Sequence, residues 1–123
     1  MLTFNLKKEW FEKIKSGEKT HEYRVMNDYW CKRISALFSN TAIKPYFNLQ
    51  KKTFQKGMPA SKYVFSQLAT PYVCFACGYP SSECMDKRLY AKVISVVSCL
   101  NGKCTDLNID DLVFDIEFEV IDK

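Results

Sequence analysis

Long apolar runs are missing from this sequence. No stretch approaches the roughly 20 apolar residues that a membrane-spanning helix needs, so no membrane partner is expected. The opening residues, Met1-Leu2-Thr3-Phe4-Asn5-Leu6-Lys7, have no basic n-region, no long apolar h-region and no small-residue cleavage site. A secretory leader is therefore not expected, and the chain reads as cytoplasmic. Glycine and proline number only four each, and His21 is the single histidine. No Gly-rich phosphate loop is present, and a nucleophilic triad built on Ser, Thr or His has no support. Paired zinc knuckles are lacking as well. Cys74-x-x-Cys77 has Cys84 nearby, but the second pair, Cys99 and Cys104, is spaced more widely, and a strand through Cys74 and Cys77 points them to opposite sides. No metal and no cofactor are expected. In a chain read as leaderless, the six cysteines are expected to be reduced thiols rather than a disulfide framework.

What the chain does hold is apolar and aromatic material: 47% of its 123 residues are hydrophobic and 15% aromatic. That is enough for a core without cross-links and argues against disorder. The length fits a single domain over residues 1–123. The net charge of +4 is unevenly spread, with 13 Lys/Arg against 5 Asp/Glu in residues 1–62 and 5 against 9 in residues 63–123. Such segregation predicts salt-sensitive binding of polyanions through the basic half, Lys51, Lys52 and Lys56 included, and a repelling face at Asp115, Glu117 and Glu119. Chance segregation on a solvated surface is the plain alternative.

Leu2, Phe4 and Leu6 alternate with polar residues, as in a half-buried strand. The period then lengthens: Leu6, Trp10 and Ile14, with Phe11 beside them, predict an amphipathic helix over 7–16, ended by Gly17 as a left-handed cap. Residues 19–25 predict a strand with Lys19, His21, Tyr23 and Val25 on one face and Thr20, Glu22 and Arg24 on the other. Both faces are unusually polar for a strand beside a buried helix. Asn27 or Asp28 caps a second helix over 29–38, whose apolar side is Trp30, Ile34, Leu37 and Phe38. Residues 39–70, broken by Pro45, Gly57 and Pro59, read as an insertion packed on the rest, with a short helix near 61–68. Strands are predicted at 72–77, 88–98 and 112–121, the last with Phe114, Ile116, Phe118 and Val120 inward. Asn101-Gly102 predicts a two-residue type I′ hairpin turn that sets Cys99 opposite Cys104, close enough to bridge on oxidation. This order predicts an α+β fold with a small mixed or antiparallel barrel, closed or nearly so, against which the first helix packs.

The run Leu6-Lys7-Lys8-Glu9-Trp10-Phe11-Glu12-Lys13-Ile14-Lys15-Ser16-Gly17-Glu18-Lys19-Thr20-His21-Glu22-Tyr23-Arg24 resembles the opening of ASCH-domain proteins, where a helix leads into Ser-Gly-Glu-Lys and a charged strand Lys-Thr-x-Glu-x-Arg. Tyr29-Trp30-Cys31-Lys32-Arg33 is similar to the Tyr-Trp-x-Lys-Arg of small bacterial and phage members. Val73 to Tyr79 resembles their strand ending in Gly-Tyr. Residues 89–97 and 112–121 stand where the last strands belong, and residues 39–70 look like an insertion of a subgroup. The resemblance implies a PUA-like barrel with a charged cleft beside the first helix, and an RNA or nucleotide-like ligand. It also implies two alternatives: a small amidohydrolase of the N4-acetylcytidine type, or a ribonuclease. A phage-borne interaction module that contacts a protein partner through residues 39–70 is a further reading.

Alone, Lys19 reads as an exposed strand-end lysine; the resemblance makes it a cationic donor to phosphate or to a base carbonyl. Glu22 and Arg24, at i and i+2, hold either a ligand, by accepting from base amino groups and forking onto phosphate, or only each other. Thr20 is the weaker ligand-binding candidate, its alternative being only to close a hydrogen bond. Tyr29 with Arg33, spaced i and i+4, combines a stacking ring with a cation, and Tyr79 reads as a ring at the cleft rim. Trp30 is assigned to the core, and His21 reads as a satisfied, half-buried histidine. If the protein is an enzyme, Lys19 and Glu22 are its catalytic candidates. The related hydrolases, however, carry threonine where Glu22 stands, so their mechanism does not transfer intact.

Overall fold

The computed structural model describes residues 1–40, 42–78 and 87–122. In chain order the elements are β1 (Leu2–Leu6), α1 (Lys8–Lys15), β2 (His21–Val25), α2 (Asp28–Ser35), α3 (Ile43–Thr53), β3 (Ser61–Val64), β4 (Tyr72–Cys77), β5 (Arg88–Asn101) and β6 (Leu112–Asp122). Six strands form one sheet in the order β1-β4-β5-β6-β2, with β3 paired to β5 beside that path. β1 and β4 run parallel, and every other pairing is antiparallel. The fold is thus mixed α+β, a curled sheet forming a half-barrel with three helices. The expected closure is not reached. Among the described residues no ladder joins β1 to β2, which remain the two edges of the sheet.

The curl has a local cause. The register of β5 against β6 shifts at Tyr90/Ala91, Val93/Ser95 and Val97/Leu100, and each bulge bends the strand and adds twist. Inward positions then converge on an aromatic core. Phe75 stacks on Phe4 with ring centroids 5.6 Å apart and meets Phe118 at 4.6 Å, while Phe47 of α3 meets Phe114 edge-on at 5.1 Å. α1 buries Phe11 and Ile14. It stops as expected, with Gly17 at φ +84° and the Lys19 amide closing on the Lys13 carbonyl. α2 is capped by Asn27, whose side chain accepts from the Trp30 amide at 2.8 Å. No helix of the described residues is long and apolar enough to cross a membrane.

Three expectations are corrected. The helix near 61–68 is instead the strand β3 followed by a 3₁₀ turn at Phe65–Gln67. Residues 43–53 form the real helix of this segment, because Pro45 lies in its first turn, where the missing amide costs no hydrogen bond. Asn101-Gly102 is not a type I′ turn. Gly102 opens a 3₁₀ turn, Gly102–Cys104, and a Cβ there would lie 2.7 Å from both a side-chain carbon and the carbonyl oxygen of Ile109. The glycine is therefore needed for close packing rather than for a positive φ. Cys99 lies in the last bulge at φ +61° and is buried, whereas Cys104 is exposed, so the two are not opposed across a hairpin.

The cysteines differ in state as well. Cys77 is disulfide-bonded, which corrects the expectation of six reduced thiols, and Cys84 lies outside the described residues. Cys31, Cys74 and Cys99 are free and buried, and burial pushes all three thiols above their ordinary pKa of 9.0. Maleimide labelling of the native protein, followed by peptide mapping, is expected to modify Cys104 well before these three. Equal labelling of Cys99 would contradict its place in the bulge.

Candidate ligand-binding cleft

The gap between the sheet edges β1 and β2 is not filled by backbone. It is a cavity of about 550 Å³, within the range of small-molecule sites. Thr3, Asn5 and Leu6 of β1 line one side and residues 22–25 of β2 the other. Trp10 enters from α1, Tyr29, Trp30 and Arg33 from α2, and Asp106 and Leu107 from the β5–β6 connection. Both tryptophans of the chain therefore border this one space.

Lys19 follows directly from the way α1 ends, since the left-handed turn at Gly17 sends the chain back toward β2. Its ammonium lies 2.9 Å from Asp106 Oδ2 and 3.9 Å from Glu22 Oε1, over the rings of Trp10 (5.2 Å) and Tyr23 (5.4 Å). Ion pairing and cation–π attraction together allow a lysine to be this buried.

Arg24 is held as firmly. Its Nη1 donates to Glu22 Oε1 at 2.9 Å and to the Tyr23 carbonyl at 2.8 Å. Its guanidinium faces the rings of Phe4 at 4.9 Å and Trp30 at 5.0 Å. Arg33 lies over Tyr29 at 5.6 Å, as their i, i+4 spacing requires, and reaches the Thr3 carbonyl only at 3.5 Å. Tyr23 has its phenol pKa raised above the ordinary 10.0 by burial, and further by the carboxylates of Asp115, Asp106 and Glu22. It therefore stays a neutral hydroxyl, able to donate, at physiological pH.

Two buried polar atoms among the described residues have no hydrogen-bond partner: Glu22 Oε2 and Arg33 Nε. Both belong to residues lining this cavity. An unpaired buried acceptor or donor costs about 1–3 kcal/mol, more when charged. Both atoms are closed to solvent here, so a ligand removes the penalties only by shifting the wall enough to give Glu22 an N–H and Arg33 an acceptor. Among the described residues no group of three His, Cys, Asp or Glu side chains could hold a metal ion.

Five of the residues singled out from sequence thus meet here: Lys19, Glu22, Arg24, Tyr29 and Arg33. Thr20 does not. It borders a separate cavity of about 440 Å³ beside Glu117, and its carbonyl accepts from the Phe118 amide. Tyr79 lies outside the described residues. Trp30 packs on the core, as its apolar stripe predicts, and also lines the cleft. His21 points elsewhere, 2.7 Å from Asp115 through Nδ1. Sequence reasoning missed Trp10, Tyr23 and Asp106. Strand alternation set Tyr23 on the face opposite Glu22, but β2 is an edge strand and the cavity wraps its rim. Asp106 carries no local signal, being a loop residue far along the chain. Comparison with protein-family models, with curated proteins and with solved structures finds no match for this chain.

Proposed function

We propose that this chain is a divergent ASCH-type domain with a PUA-like fold, and that the cleft between β1 and β2 binds RNA or a modified nucleotide. The observation that carries this reading is that the two unpartnered buried atoms, Glu22 Oε2 and Arg33 Nε, belong to residues lining one cavity walled by aromatic rings. A carboxylate oxygen accepts from the amino edge of a base, rings stack on its face, and cations meet phosphate or carbonyl oxygens. The lining holds four cationic side chains (Lys7, Lys19, Arg24 and Arg33) against two acidic ones, Glu22 and Asp106. That balance suits an anionic ligand.

Calorimetric titration with nucleoside monophosphates and short oligoribonucleotides tests the reading. Saturable binding that Lys19→Ala weakens by about 10- to 100-fold supports it, on the scale of a lost charge-assisted hydrogen bond. Unchanged affinity in that variant, or no binding at low salt, contradicts it.

A hydrolytic reading draws on one arrangement, the Glu22 carboxylate, which meets Lys19 through Oε1 at 3.9 Å and leaves Oε2 without a partner. In it Glu22 activates water and Lys19 stabilises the oxyanion. Incubation with N4-acetylcytidine and other acylated nucleosides decides the point. Turnover lost in Glu22→Gln supports an enzyme, and no turnover in the wild type leaves a binding module.

A further inference from the structure

We propose that Asp106 is a built-in occupant of an anion subsite centred on Lys19, and that a phosphate group of the ligand displaces it. The inference rests on the reading of the cleft as a nucleotide site and adds how that site selects for charge. The two partners are unequal in exposure: the Lys19 side chain is 10% exposed, that of Asp106 56%. Lys19 is fixed from within by the Trp10 and Tyr23 rings. Glu22 holds it weakly, at 3.9 Å, because the same oxygen already accepts from Arg24 at 2.9 Å and from the Tyr23 amide at 3.2 Å. The close partner of the ammonium is Asp106, at 2.9 Å.

Nothing else ties that carboxylate down. Among the described residues its one hydrogen-bond partner is Lys19. The turn that carries it is held by its own short-range bonds, Thr105 to the Gly102 carbonyl, Leu107 to Thr105 Oγ1 and Asn108 to the Thr105 carbonyl. Side-chain rotation alone thus frees Lys19 without opening a ladder or the core. A pair this exposed on one side contributes little, as surface ion pairs do. Once Asp106 turns away, Glu22 is the one acidic group left among four cations in the lining. A phosphate with roughly two negative charges and three acceptor oxygens answers that field better than the chain's own carboxylate. An uncharged nucleoside brings no anion and leaves the Lys19–Asp106 pair in place.

Asp106→Asn keeps the shape and removes the charge at an exposed position, and an unchanged thermal midpoint confirms that the fold is intact. Wild type and variant are titrated with cytidine, cytidine 5′-monophosphate and inorganic phosphate. The variant is expected to bind the monophosphate about five- to tenfold more tightly and phosphate more tightly in parallel, with cytidine within roughly twofold. Monophosphate affinity that is equal or weaker in the variant overturns the displacement while the nucleotide reading stands. If neither cytidine nor its monophosphate binds either protein, the nucleotide reading fails and the phosphate arm decides. A gain in the variant then upholds the anion subsite, and no gain overturns it.

Discussion

Replacing Glu22 with alanine is expected to cost about 3–5 kcal/mol of folding stability, the scale for breaking a buried ion pair from one side. The side chain is 8% exposed and is the charged partner of Arg24, whose guanidinium lies against the stacked rings of Phe4 and Trp30. Without the carboxylate, Arg24 keeps its bond to the Tyr23 carbonyl but loses its counter-charge, and Lys19 retains only Asp106. Glu22→Gln separates charge from shape. Its amide oxygen still accepts from Arg24, so the loss is smaller, about 1–3 kcal/mol. Urea unfolding of both variants measures this. A loss under about 1 kcal/mol for Glu22→Ala, the range of exposed pairs, would mean that the pair is solvated and the cleft wall is not built as described.

Phe47→Ala is expected to cost about 3–5 kcal/mol, the range for truncating a buried aromatic side chain. Phe47 is fully buried and meets Phe38, Tyr63 and Phe114 edge-on. It joins α3, the turn after α2, β3 and β6 in one core, so the effect should appear as a lower midpoint of a single cooperative transition. If α3 were an appendage, the main transition would keep its midpoint and only local protection from hydrogen exchange would fall.

That outcome bears on why residues 39–70 were hard to read. Pro45 looks like a break, although proline in a first helical turn removes no bond. β3 has only four residues, of which Ser61 and Tyr63 face partly inward, so its alternation is too brief to register. By contrast β6 alternates from Phe114 to Val120, because one face meets the core and the other carries Asp115, Glu117 and Glu119. Its predicted bounds, 112–121, accordingly differ from Leu112–Asp122 by one residue. β4 was legible for a different reason, as the short apolar run Val73 to Cys77. The Asn101-Gly102 turn misled because the dipeptide is common where φ must be positive, whereas Gly102 is there to let Ile109 and Asp111 approach.

The site divides in the same way. Glu22 and Arg24 stood out because both faces of their strand are polar, Tyr29 and Arg33 because they set a ring and a cation at i, i+4, and Lys19 only through the family resemblance. They come from one continuous stretch, so their convergence needs little knowledge of the fold. Trp10 and Asp106 reach the same cavity from 9 residues before Lys19 and 87 after it. Only the pairing of β5 with β6, which sets where their connection hangs, brings Asp106 to Lys19.

The most direct test uses the chain's only two tryptophans, Trp10 and Trp30, both of which line the cleft. Their indole N–H signals in a ¹H–¹⁵N spectrum are followed during titration with cytidine 5′-monophosphate. Binding between β1 and β2 predicts that both signals move along one saturation curve, shared with the backbone amides of Glu22 to Arg24, and that Lys19→Ala shifts the curve to higher concentration. Two indole signals that stay still while amides elsewhere respond would place the ligand at another site and contradict the account.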